Sequence, residues 1–262
     1  MQLEGRAALE VIGRRRSVRV FRPYLEIPED KLVLILEAGR RASHFGNLSS
    51  VGAVVLQRRD QAIEFLSSPT GAIALQTAPT ILVWTIDYSK FEDLEERQHE
   101  LVAHGAFGVS KEVASRRISR MLMPLMHRRK AQIIESGLFE LDAGQAIAQV
   151  TIAANAMGIA SCLCGVSVTA PLREALRIPE NVKVAIAQAL GYALESTNVP
   201  PRPRRPFREL FHRGHFGGEM TVDRVVQEMV DDVYGAESPP GAWRNEELKF
   251  LESALGQAGR KL

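Results

Sequence analysis

The alternation of apolar and polar residues along the chain predicts helices interleaved with short strands. Residues 4–13 and 28–41 carry apolar side chains at helical spacing, so each segment has one apolar side. The runs 51–57 (VGAVVLQ) and 80–86 (TILVWTI) are continuous, rich in β-branched residues and bounded by breakers, which is typical of buried strands. Residues 183–191 (KVAIAQALG) predict a further strand. The pattern therefore predicts an α+β domain with a central sheet flanked by helices.

The later part of the chain contains a different kind of helix and then a polar tail. Alanines cover most faces of residues 142–157 (DAGQAIAQVTIAANAM), which favours a helix packed closely on several neighbours, and Gly158 ends it. The segment VPPRPRRP after Asn198 cannot be helical because of its prolines. We therefore expect one main domain over residues 1–211 and a helical extension over residues 212–262.

Composition and charge exclude several classes of protein. Apolar residues make up 45% of the 262 residues and charged residues 24%, as in an ordinary globular protein. The net charge of +2 gives no bulk electrostatic attraction to nucleic acid. No apolar run approaches the length of a membrane span, and the first residues lack the apolar core of a signal peptide. We expect a cytoplasmic protein that binds neither nucleic acid nor membrane.

Neither thiol nor metal chemistry is expected from the cysteines and histidines. The two cysteines, Cys162 and Cys164, are predicted to stay reduced. We expect their side chains to point to opposite faces of a strand and to form no redox pair. His212 and His215 have a spacing that suits a metal, but they lack acidic or thiol neighbours, so no metal site is predicted.

Two basic clusters are the strongest candidates for ligand binding. The first is RRRSVRVF at residues 14–21, where alternation would place Ser17, Arg19 and Phe21 on one face. The second, residues 202–205, is stiffened by prolines on both sides, so its arginines lose less freedom on engaging a ligand. Well-made guanidinium–phosphate contacts contribute about 1.5–3 kcal/mol each. Taken alone, each cluster is either a phosphate pocket or a solvated basic surface.

The order of motifs along the chain resembles the FMN-dependent nitroreductase family. The resemblance runs from about Arg15 to Phe211 and is specific because several individually weak motifs occur in the family's order. They are Arg-x-Ser-x-Arg with a following Phe (15–21), SHFGN (43–47), Ala-Pro before a strand (78–81), an Asp-led helix that ends in Gly (142–158), a short strand with Gly (161–165), Leu-Arg-Ile-Pro (176–179), ALGYA (189–193) and Pro-Arg-Pro-Arg (201–204).

This resemblance implies a fold, a cofactor and a reaction. It implies a mostly antiparallel central sheet flanked by helices, in a homodimer whose C-terminal arm wraps the partner subunit. The expected reaction passes hydride from NAD(P)H through FMN to a small organic acceptor, such as a nitro, quinone or other conjugated compound, by a ping-pong cycle. No catalytic acid, base or nucleophile is expected. The residues implied in FMN binding are Arg15, Arg16, Ser17, Arg19, Asn47, Cys164, Gly165, Arg202 and Arg204.

The chain departs from the family at the loop that precedes Asn47. Family members commonly carry a small serine/alanine pair there, whereas this chain has His44 and Phe45. Bulky side chains at these positions would line or narrow the substrate pocket and give a narrower or different acceptor range. A second function stays open, namely a flavin-binding sensor or storage protein on the same fold without turnover of its own.

Overall fold

The computed structural model describes residues 5–57, 60–68, 72–197, 204–235 and 244–257. Its strands β1–β4, in chain order, are Val51–Gln57, Thr80–Asp87, Ala160–Cys164 and Val182–Gly191. Its helices α1–α12, in chain order, are Arg6–Arg14, Glu29–Arg40, Ala72–Thr77, Leu94–Ala103, Lys111–Arg117, Met123–Arg128, Lys130–Glu135, Leu138–Ala156, Ala170–Leu176, Phe207–Leu210, Arg224–Tyr234 and Asn245–Gln257. Short 3₁₀ turns occur at Phe45–Asn47, Gln61–Phe65 and Tyr88–Asp93, and a π turn at Ile118–Leu122.

The four strands form one antiparallel sheet in the order β1-β2-β4-β3. The central strand β2 is buried along most of its length, as is the second half of β4, because both faces of a central strand are covered. The short strand β3 lies at one edge of the sheet. This arrangement confirms the predicted α+β class with its antiparallel central sheet.

Helix α8, the alanine-rich helix, packs across one face of the sheet. Ala146, Val150 and Ala154 join a buried cluster with Leu82 and Leu190 of the central strands. The helix begins at Leu138, one turn earlier than the sequence predicted, after a left-handed Gly137. Small side chains let α2 approach closely, which explains why alanine covers so many faces of this helix.

The opposite face of the sheet carries a second buried cluster, and this cluster corrects the expectation for the cysteines. Cys162 and Cys164 both lie in it, with exposed fractions of 7% and 1%, while Leu163 between them is half exposed. Side chains alternate along a strand, so residues two apart share a face. The expectation that the two thiols face opposite sides was therefore wrong.

The middle of the chain forms a helical layer beside the sheet. It starts with the 3₁₀ turn Tyr88–Asp93, which leads directly into α4. Helix α5 ends at Arg117 and passes into the π turn. Pro124 follows this turn and cannot donate a backbone hydrogen bond, which accounts for the break in the α-helical pattern.

Within the described residues, the C-terminal extension contacts the rest of its own chain through α11 and α12. Helix α11 lies along α1, where Arg6 Nη1 is 2.8 Å from Asp232 Oδ2. Helix α12 buries Leu251 and Leu255 in a small cluster with Val20. These contacts hold α11 and α12 against their own chain, and the wrapping of a partner subunit stays a prediction. Within the described residues, every helix is too short or too polar to cross a membrane.

Candidate functional site

The first basic cluster divides into two sets of side chains that face different cavities. Arg15, Ser17 and Arg19 line a recess of about 230 Å³, together with Thr151 of α8 and the edge strand β3. The lining from β3 consists of Ser161, Cys162 and Leu163. We call this the arginine recess. The recess is lined by the guanidinium groups of two arginines and by serine and threonine hydroxyl groups. These groups donate hydrogen bonds and suit an anion.

Backbone contacts hold the segment that presents these side chains. Ser17 forms a parallel bridge with Ser161 of β3, and the Val18 amide donates to the Ser161 carbonyl at 3.0 Å. Val18 and Val20 are buried, which turns the odd-numbered Ser17 and Arg19 outward. Phe21 was expected to share their face, but it is fully buried in the cluster under the sheet. The alternation of exposed and buried residues therefore ends at Phe21, where the chain turns into the core.

The carboxylate of Glu195 fixes the same segment from the far end of the fold. It accepts hydrogen bonds from the Arg19 amide and, at 3.1 Å, from the Val20 amide. Arg244 of the C-terminal extension lies 3.6 Å from the other oxygen of Glu195. The backbone of the recess is thus tied to the region just after β4 and to the start of α12.

Arg16 lies on the other side of the segment, away from the arginine recess. With Arg14 and Val18 it lines a separate cavity of about 480 Å³. Its Nη1 donates to the carbonyl oxygens of Gly13 at 2.7 Å and of Arg15 at 2.9 Å. Residues one apart in an extended segment point to opposite sides. Arg16 therefore lines a different cavity from Arg15, and its expected contact with FMN stays a prediction.

The remaining predicted flavin contacts are placed only in part. Arg202 lies outside the described residues, and Arg204 is exposed shortly before α10. Cys164 is buried at the end of β3, and Gly165 is exposed directly after it. Open space surrounds the position where a side chain of Gly165 would begin, so the backbone there can be approached closely.

The thiols beside the arginine recess are electrostatically linked. The hydrogen bond from the Cys164 thiol and the positive charge of Arg19 lower the pKa of Cys162 to about 7. The same thiol contact and burial raise the pKa of Cys164. Both side chains are packed in the core, so we assign them a packing role.

The loop that carries the other predicted site residues forms a tight turn, His44–Ser49, which we call the pocket turn. Gly46, Asn47 and Ser49 have left-handed φ angles of 58°, 58° and 50°. Asn47 and Ser49 are exposed, whereas His44 and Phe45 are half-buried. The Phe45 ring packs toward Phe139, with 6.2 Å between ring centroids. The turn thus shows Asn47 to solvent and turns much of Phe45 inward.

Within one chain the pocket turn and the arginine recess lie far apart. The turn is attached to α8 at Asp142, whose carboxylate Oδ2 accepts the Phe45 amide at 2.8 Å. The recess meets the same helix at Thr151. Nine residues of α-helix separate these two points, which is about 14 Å along the axis. A single chain does not bring all predicted site residues into one cavity.

Sequence reasoning missed several residues that shape these two places. Thr151 and Ser161 line the arginine recess, and Asp142 and Gln98 hold the pocket turn. A hydroxyl within an alanine-rich helix and an acidic residue in the same helix are visible signals in the sequence. No feature of the sequence singles out Gln98, because its role depends on the packing of α4 against the pocket turn.

Comparison with known proteins identifies the family. The model of the nitroreductase family matches residues 12–192, more than half of the chain. The chain belongs to the nitroreductase family. A search of curated protein sequences finds no significant match.

Solved structures share the fold at low sequence identity. A protein of Exiguobacterium sibiricum assigned as a nitroreductase, solved in complex with FMN, has a TM-score of 0.65 at 18% identity, covering 78% of this chain and 95% of its own. A protein of Staphylococcus epidermidis assigned as an NAD(P)H:FMN oxidoreductase has 0.65 at 17%, covering 81% and 97%. An enone reductase of gut-bacterial fatty acid saturation has 0.61 at 18%, covering 79% and 96%. Together with the family match, these neighbours support a flavin oxidoreductase in general.

Proposed function

We propose that the protein is an FMN-dependent oxidoreductase that passes hydride from NAD(P)H to a small organic acceptor in a ping-pong cycle. The acceptor would be a nitro compound, a quinone or another conjugated molecule. The observation that carries the proposal is the convergence of Arg15, Ser17 and Arg19 on one recess in a chain of the nitroreductase family. Neighbours of the same fold include an FMN complex, an NAD(P)H:FMN oxidoreductase and an enone reductase.

The residues of the arginine recess fit the anionic parts of FMN. Arginine offers planar pairs of N–H donors that match a phosphate, and a serine hydroxyl adds a further donor. We assign Arg15 and Ser17 to the phosphate and ribityl end, and Arg19 to the flavin edge. Arg204, and Arg202 from outside the described residues, would add charge to the same phosphate.

The chain's own residues would orient the cofactor and set its electrostatics. FMN, when bound, supplies the hydride chemistry, which the protein tunes but does not perform. Arg19 would stabilise negative charge at the pyrimidine edge, and the backbone amides of Cys164 and Gly165 would face the N5 region. No side chain needs to act as acid, base or nucleophile in this scheme.

We propose that the working unit is a cytoplasmic homodimer in which the partner copy completes each site. Ligand pockets for molecules of this size usually exceed about 300 Å³, and the recess of one chain, about 230 Å³, is smaller. A second copy would bring its Asn47, His44 and Phe45 over the recess. Exposed apolar side chains on the extension and on α8 support such an interface, with Phe216 93%, Val225 67% and Leu141 64% exposed.

The first test is the content and turnover of flavin. Purified protein is expected to be yellow, to release about one FMN per chain on denaturation, and to oxidise NADH or NADPH in the presence of a quinone or nitro acceptor. A yellow protein without turnover would favour the sensor or storage function instead. A colourless protein that ignores added FMN would refute both functions.

The second test is the dimer interface on α11. Val225→Asp places a charge on the exposed apolar side of this helix and is expected to raise the dimer dissociation constant at least about tenfold, because a buried unpaired charge is costly. Light scattering across a dilution series measures this. Gln227→Glu adds the same charge about 200° around the helix and should leave the dimer intact. Equal behaviour of the two variants, or a monomeric wild type that retains flavin, contradicts the proposal.

A further inference from the structure

The pocket turn adopts a conformation that its own residues disfavour. Three of its six residues have left-handed φ angles, and two of them, Asn47 and Ser49, are not glycine. Such a residue costs on the order of 1 kcal/mol, somewhat less for asparagine. The conformation therefore depends on contacts from the rest of the fold.

The first of these contacts comes from helix α8. Asp142 is only 4% exposed, and its carboxylate accepts the Phe45 amide at 2.8 Å. The bond crosses 97 residues of sequence, so it ties the turn to a different element. A charged acceptor makes a stronger hydrogen bond than a neutral one.

The second contact comes from helix α4 on the other side of the turn. Gln98 is 6% exposed, and its Nε2 donates to the Gly46 carbonyl at 3.0 Å. A Cβ atom at Gly46 would lie 2.4 Å from Leu94 Cδ1 of the same helix. The turn is thus in direct contact with α4, at a position whose left-handed φ of 58° favours glycine.

The two contacts leave one side of the turn free to meet a ligand. Leu48 and Ser50 are buried, with exposed fractions of 1% and 3%, whereas Asn47 and Ser49 between and beside them are exposed. Buried residues fix the register of the turn, and the strained residues are the ones displayed. Strain held by surrounding contacts is common where a protein presents groups to a ligand.

We propose that Asp142 and Gln98 are positioning residues that hold the pocket turn in the shape in which it meets the acceptor. This role rests on the proposed function, because it takes the turn to be the wall of the acceptor site in the dimer. Neither side chain touches the acceptor in this scheme. Both act through the backbone of residues 44–47.

The ionisation of Asp142 gives the role a pH dependence. Burial raises the pKa of this carboxyl above its ordinary value, opposed by the Phe45 amide and by the nearby His44. As pH falls through that raised pKa, the folded state takes up the proton before the unfolded state does. The ionised carboxylate therefore lowers stability at neutral pH, and this cost disappears in acid. Protonation in turn weakens the bond that holds the turn.

The test compares Asp142→Asn, which keeps an oxygen acceptor without the charge, with Asp142→Leu, which removes the acceptor. Hydrogen exchange of the Phe45 amide is expected to be about tenfold faster in Asp142→Leu, the effect of one lost hydrogen bond, and near the wild-type rate in Asp142→Asn. The acceptor KM should rise in Asp142→Leu more than kcat falls. When the acceptor KM is measured against pH, it should rise at low pH in the wild type, and this rise should be absent in Asp142→Asn.

Gln98→Leu is a second variant for the case that Asp142→Leu fails to fold, and it should raise the exchange rate of the turn and the acceptor KM in the same way. Unchanged exchange in an active enzyme would overturn the proposal. So would faster exchange with unchanged acceptor kinetics, since the turn would then serve no acceptor. Failure of the proposed function is distinguishable from these outcomes, because the wild-type protein itself would then show no turnover.

Discussion

Replacing Arg15 with alanine is expected to weaken FMN binding by roughly one to two orders of magnitude. Arg15 is half-buried in the wall of the arginine recess, where a guanidinium can contact a phosphate with its charge only partly screened. A charge-assisted hydrogen bond of this kind contributes about 1.5–3 kcal/mol, which corresponds to about tenfold to 150-fold in affinity. Titration of the flavin-free variant with FMN, followed by fluorescence quenching, measures the change.

Arg14 provides a matched control one residue away. Its side chain lines the separate cavity on the opposite side of the segment and forms a surface ion pair with Glu10. Surface ion pairs contribute little to stability, so Arg14→Ala should leave both folding and FMN affinity within about twofold. If Arg14→Ala weakens FMN binding as strongly as Arg15→Ala, the recess is not the flavin site and only the net charge of the segment matters.

The contrast between these neighbouring arginines shows how far the sequence alone could lead. The period of two in an extended segment is visible in the sequence, and it correctly grouped Ser17 with Arg19. The same period predicts that Arg16 points to the other side of the segment, where it lines a separate cavity, although the family resemblance includes it among the FMN contacts. It would also have placed Cys162 and Cys164 on one face. The error on the cysteines came from setting the alternation aside, whereas the fold class and the bounds of β1, β2 and β4 followed from the apolar pattern.

Other parts of the site depend on contacts that no local pattern carries. The pocket turn is held by Asp142 and Gln98, which lie 97 and 52 residues away from their partners in it. The left-handed conformation of Ser49 goes against the preference of serine, so no local pattern predicts it. Phe21 does not share the face of Ser17 and Arg19, because its ring is buried in the core. Long-range packing decides such features, and a single sequence does not reveal it.

Gln188→Leu is expected to destabilise the folded protein by about 2–3 kcal/mol, through the loss of two buried hydrogen bonds. Gln188 is fully buried in the central strand β4. Its Oε1 accepts the Trp84 indole N–H at 2.9 Å, and its Nε2 donates to Thr151 Oγ1 at 2.9 Å. Leucine has a similar size, so the change leaves little cavity, but the buried indole N–H of Trp84 loses its acceptor. Thermal unfolding should show a decrease in Tm of roughly 4–12 °C.

The control and the partner variant separate a hydrogen-bond effect from general damage to the core. Gln132→Leu makes the same chemical change at an exposed position of α7 and should cost less than about 0.5 kcal/mol. Trp84→Phe removes the stranded donor, so combining it with Gln188→Leu should cost at least about 1 kcal/mol less than the sum of the single changes. In Gln188→Leu, the Thr151 hydroxyl still donates to the Ile147 carbonyl at 2.7 Å. This hydrogen bond keeps Thr151 in the wall of the arginine recess. Strict additivity in this cycle would mean that the Trp84–Gln188 bond contributes nothing to the stability of the sheet.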